Sequence, residues 1–120
     1  MKHLQLFESF NNREAVYDTI KISYEGNPDS LFLVYYTGYD DFISHDIVAT
    51  VKSKEEGTEK FEEAVLSNSI LNGANVFKYD EVLNMYEPYD KLLQGRGNLD
   101  KWLSKENKML NPFGFKVSLT

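Results

Sequence analysis

The sequence predicts an α+β protein, with helices packed on a largely antiparallel sheet, and three observations lead there. "DTIKISYE" and "FGFKVSLT" alternate apolar with polar residues, the period of a strand that buries one face. "SKEEGTEKFEEAV" switches to helical spacing directly after a Ser-x-x-Glu pair. No repeat, low-complexity run or Pro/Gly/Ser linker interrupts the 120 residues, of which 42% are hydrophobic, so a single globular domain over residues 1–120 is expected.

Taken in order, residues 1–12 place His3, Leu6, Phe7 and Phe10 at i, i+3, i+4 and i+7, a short amphipathic helix. Ile20, Ile22 and Tyr24 then alternate, "GNPD" supplies turn chemistry, and "SLFLVYYTG" follows, so residues 18–38 read as a hairpin. Its second strand is apolar on both faces from Leu31 to Tyr35, which suits a central position. A strand over 46–52 should put Ile47, Ala49 and Val51 on one face. Ser53 and Glu56 form a capping box for a helix over 54–67, with Phe61, Ala64 and Val65 inward and Glu55, Glu59, Glu62 and Glu63 towards water.

"NSILNGAN" reads as a loop by its Asn and Gly content. Tyr79, Val82, Leu83 and Tyr86 predict a second helix that Pro88 stops. After the glycines of "LQGRGN", Asn98 can cap a third helix with Leu99, Trp102, Leu103 and Leu110 inward and Lys101, Lys105 and Lys108 on another face. A C-terminal strand over 113–119, through Phe113, Phe115, Val117 and Leu119, should join the hairpin's sheet. The expected fold is thus one antiparallel sheet carrying about three helices.

The charge is lopsided. Residues 1–90 hold 7 Lys/Arg against 17 Asp/Glu (net −10), and residues 91–120 hold 6 against 2 (net +4), which recovers the total of −6. An acidic body repels nucleic acid and draws basic partners, so direct nucleic-acid binding is not expected. The absence of cysteine excludes disulfides, thiolate catalysis and cysteine-based metal centres. No apolar run approaches the roughly 18–20 residues that span a bilayer, and the opening lacks a signal-peptide pattern, so no membrane contact or export is expected.

The densest chemistry is in "GYDDFISHD", where Asp40, Asp41, His45 and Asp46 offer three carboxylates and an imidazole. Their spacing fits neither an EF-hand nor a zinc protease helix, so a polar connection between strands is the reading and no metal is expected. The two glycines around Arg96 lack the lysine and serine or threonine of a phosphate loop, and no GxSxG elbow is present, so no catalytic residue and no cofactor is assigned. Tyr36 and Tyr39 lie beside Asp40 and Asp41, and tyrosines mixed with carboxylates can present a binding surface that imitates stacked bases and phosphates.

One resemblance adds to this. "MKHLQLFESF" resembles the N-terminal openings of small proteins of T4-like tailed phages, including capsid-targeting leaders removed by the prohead protease after an L-x-E tripeptide, here Leu6-Phe7-Glu8. It implies a non-catalytic phage protein that works through protein contacts in the host cytoplasm or the virion, its partner a phage head component, with Leu6, Phe7 and Phe10 as docking residues. The alternative is an acidic inhibitor or nucleic-acid mimic of a host enzyme. That reading sets Asp40, Asp41, Asp46, Glu55, Glu59, Glu62 and Glu63 against a basic groove.

Overall fold

Among the described residues, two three-stranded antiparallel sheets and four helices make up the α+β fold. The structure, a computed structural model, describes residues 13–39, 42–67 and 71–120. Along the chain run β1 (Glu14–Val16), β2 (Ile20–Tyr24), β3 (Leu31–Tyr39), β4 (Phe42–Val51), α1 (Lys54–Ser67), β5 (Leu71–Phe77), α2 (Tyr79–Asn84), α3 (Glu87–Leu93), α4 (Asp100–Leu110), a 3-10 turn over Asn111–Phe113, and β6 (Phe115–Leu119). The described residues fall into two compact units: those up to Gly26 together with Asp80–Thr120, and Asn27–Tyr79.

In the first unit the sheet order is β1-β2-β6. Period-2 alternation puts Ile20, Ile22 and Tyr24 inside, and β6 meets them in register, Ile22 opposite Val117 and Tyr24 opposite Phe115. The Tyr24 and Phe115 rings pack at 4.6 Å. Gly114 enters β6 at φ 92°, and a Cβ there would lie 3.1 Å from the Tyr24 ring, so glycine is required by conformation and by space. The helices bury Val82, Leu83, Tyr86, Leu93 and Leu110, and α4 packs on β6.

In the second unit the order is β4-β3-β5. β3 is central, as its two apolar faces require. One face carries Leu33, Val51 and Val76, with Leu31, Tyr35, Ala49 and Ala74 at the margin, and α1 covers it. Phe32, Val34 and Ile47 are buried on the other face. The helix comes close because residue 57 is glycine: a Cβ there would stand 2.4 Å from Val76 Cγ2.

Several expectations change. Residues 18–38 are not a hairpin: the turn forms, with Asn27 Oδ1 accepting from Asp29 N–H at 2.8 Å, but β2 and β3 belong to different sheets. The hairpin is β3–β4, so the strand expected at 46–52 spans 42–51 and takes in His45. A bulge pairs Leu33 with Ala49 but Val34 with Ile47, which turns Ile47 away from Ala49 and Val51. Residues 71–77 form an edge strand instead of a loop, needing little apolar area for a single buried face. Pro88 does not merely end a helix; it sits in the first turn of α3, where its missing N–H costs nothing. Val65 is exposed. The C-terminal strand does pair with Ile20–Tyr24, although it begins at Phe115, with Phe113 in the 3-10 turn and Leu119 half exposed.

Candidate functional site

The outer face of α1 is the site that the fold assembles from the expected residues. The helix starts where Ser53 Oγ accepts from Glu56 N–H (3.1 Å) and Glu56 Oε1 accepts from Lys52 N–H (2.9 Å), a capping box displaced by one residue on its return bond. Glu55 and Glu56 in the first turn suit the positive end of the helix dipole. Gly57 against Val76 and Phe61 edge-on to Tyr35, with ring centroids 5.7 Å apart, set the rotation of the helix on its sheet.

That rotation sends Glu55, Glu59, Glu62 and Leu66 outward at i, i+4, i+7 and i+11, with Glu63 alongside. All are exposed, and Leu66 is 89% accessible. Carboxylates four apart on a helix repel by about 0.2–0.5 kcal/mol per pair, so the stripe is not there to hold the helix together. Charge collects in the same unit. Residues 27–79 carry 4 Lys/Arg against 9 Asp/Glu, net −5, and the rest of the chain 9 against 10, net −1. The boundary at residue 90 that divides the sequence by charge is therefore not the boundary that the fold draws.

The other candidates that the structure describes, Tyr36, Tyr39 and Asp46, lie on β3 and β4 and not on this helix. Leu6, Phe7, Phe10, Asp40 and Asp41 lie outside the described residues. Tyr39 ends β3 opposite Phe42. Tyr36 is half-buried on the sheet face away from α1, and burial pushes its phenol up from the usual tyrosine range. Its partner across the ladder is His45, buried at 6% exposure, where desolvation brings the imidazole down to about 4. Asp46 points to the opposite face and is exposed, so strand alternation separates the two side chains that a shared ion would need to bring together. Among the described residues no group of three or more His, Cys, Asp or Glu is placed to hold a metal ion.

Sequence reasoning missed Leu66, whose only signal was its place one step beyond the inward pattern. It also missed a cleft of about 320 Å³ in the first unit, lined by Val16, Tyr17, Asp18, Glu87, Lys91 and Gln94 around the buried Asp90. Its polar groups pair with the protein itself. Asp90 Oδ1 accepts from Thr19 and Ile20 N–H (2.8 and 2.9 Å), Tyr17 donates to the Leu83 carbonyl (2.6 Å), and Lys91 meets Glu87 at 3.7 Å. Burial, with the charges of Glu87 and Asp90 adding to it, pushes the Tyr17 phenol up to about 12. This is a structural anchor for β2.

No protein-family model, curated protein or solved structure matches the chain. Among the described residues no helix is long and apolar enough to cross a membrane.

Proposed function

We propose that the chain acts by binding, not by catalysis, and that the outer face of α1 docks on a basic surface of a partner protein. A stripe of three glutamates ending in a leucine that is 89% exposed supports this reading. The charges steer a basic partner into encounter, and the leucine gives the complex an apolar contact that water disfavours when it is left open. A head-associated phage component and an inhibitor of a host nucleic-acid enzyme both act through such contacts; the acidic face favours the second.

The test uses the heparin-binding fraction of host cytosol, passed over immobilised protein at about 50 and 300 mM salt, where screening differs strongly. Wild type should retain a basic protein at the lower salt only, the double variant Glu59→Lys/Glu62→Lys should retain none, and Leu66→Ala should release it faster. Equal retention by wild type and the charge-reversed variant overturns the reading.

A further inference from the structure

A different surface of the same unit is the edge of its sheet. β5 is one of the two outer strands of the β4-β3-β5 sheet. The Val76 N–H donates to Asn75 Oδ1 at 3.0 Å. Backbone groups of an antiparallel strand alternate sides, so Asn75 faces its ladder partner Val34, while Ala74 and Val76 turn their N–H and C=O groups to the outer edge. Beside this edge lies a cleft of about 300 Å³. Leu33, Gly57, Ala74 and Val76 supply its buried and half-buried surface, Phe61 adds an aromatic wall, and the exposed Lys54, Thr58 and Asn75 line it too.

We propose that this groove binds an extended peptide segment, added to β5 as a fourth strand with an apolar side chain seated in the cleft against α1. The two halves of the site call for the same ligand. Outward N–H and C=O groups two residues apart match an extended backbone, and side chains of an added strand reach the α1 side at every second position, where the surface is apolar. The volume lies at the small end of ligand sites, room for one or two side chains.

Asn75 already occupies the place of one peptide carbonyl, with its own Oδ1 on the Val76 N–H. The sheet of the other unit is different. There the edge of β6 is closed by Asn107, which bonds both the N–H and the C=O of Val117 from a neighbouring helix. At β5 the shield is one bond from the adjacent residue, and an incoming carbonyl can replace it like for like. Gly57 and Phe61 lie on the side of α1 opposite Glu59, with Thr58 bordering Glu62, so the site does not depend on Glu59.

The experiment pans a displayed library of random peptides of about nine residues, enough to cover one strand, on the intact chain. Enriched peptides should alternate apolar and polar residues, and a synthetic copy of the best should shift the Ala74 and Val76 amide resonances. Ala74→Pro removes an outward N–H that β3 does not use and should weaken binding roughly tenfold, the equivalent of one hydrogen bond. Thr58→Trp fills the cleft without touching the edge and should block binding, Asn75→Ala should strengthen it, and Glu59→Lys should leave it unchanged. No enrichment, or enriched peptides that bind the Thr58→Trp protein as well as wild type, overturns the proposal.

Discussion

Asn107 on α4 and Val117 on β6 face each other through two hydrogen bonds, Nδ2 donating to the Val117 carbonyl at 2.9 Å and Oδ1 accepting from the Val117 N–H at 2.8 Å. The carboxamide takes the place of a neighbouring strand and fastens α4 to the sheet edge. Each bond contributes about 0.5–1.5 kcal/mol net, so Asn107→Ala should lower unfolding free energy in urea by about 1–3 kcal/mol. Sedimentation velocity should also show some self-association, because an open edge recruits other strands. Asn107→Asp keeps the acceptor but sets a carboxylate oxygen against a carbonyl, and it should rescue little. Variants as stable and as monomeric as wild type would remove this role.

Gly57→Ala sets two effects against each other. Alanine favours a helix over glycine by about 1 kcal/mol. Its Cβ, however, would stand 2.4 Å from Val76 Cγ2, and a β-branched valine in a strand has little rotamer freedom to give way. Overpacking of this kind costs about 1–3 kcal/mol, so the net change should be destabilising or near zero, never the gain seen at an open helix position. Val76→Ala in the same background should recover part of the loss. Thermal melts of the two variants read the sign directly.

These two contacts also mark the limit of what the sequence discloses. α1 was legible to its first and last residue, because Ser53, Glu56 and the spacing of Phe61 and Ala64 are all local signals. Local signals also located β2, β6 and α4. They could not say which strand pairs with which: the "GNPD" turn forms, yet its two flanking strands enter separate sheets. β5 was hidden because an edge strand with Asn72, Gly73 and Asn75 has the composition of a loop. The bulge that turns Ile47 over leaves no mark in the sequence. Of the candidate site, the glutamates of α1 were legible as a solvent face, whereas Leu66 depended on how Gly57 and Phe61 set the helix rotation.

Asp90 ties α3 to the start of β2 by accepting from two successive backbone N–H groups while only 4% exposed. Hydrogen bonds to a charged acceptor are each worth about 1.5–3 kcal/mol. Asp90→Ala should therefore cost about 3 kcal/mol or more, leaving the Thr19 and Ile20 amides without their acceptor in a buried setting. Asp90→Asn retains an oxygen in the same place and should cost distinctly less. Amide exchange at Ile20 should quicken in both, and more in the alanine variant; unchanged exchange would exclude the anchor.

His45 gives the fold a dependence on acid. Its imidazole is 6% exposed and burial lowers its pKa from the ordinary 6.5 to about 4. The unfolded chain therefore takes up a proton near pH 6.5 that the folded chain refuses until about pH 4, and protonation of the unfolded state pulls the equilibrium away from the fold. The stability that depends on a neutral His45 is present in full above pH 6.5 and is lost as pH falls towards 4, by about 3 kcal/mol for a shift of this size. Carboxylates also titrate at the lower end of this window, so the quantity to compare is the difference between wild type and His45→Gln, whose amide cannot take the charge. Urea midpoints measured from pH 7 to pH 4 should fall more steeply for wild type than for the variant, with most of the divergence between pH 6.5 and 4. Parallel curves, or an imidazole proton resonance that titrates near 6.5 in the folded protein, would show that His45 is solvated and that the strand pair with Tyr36 does not enclose it.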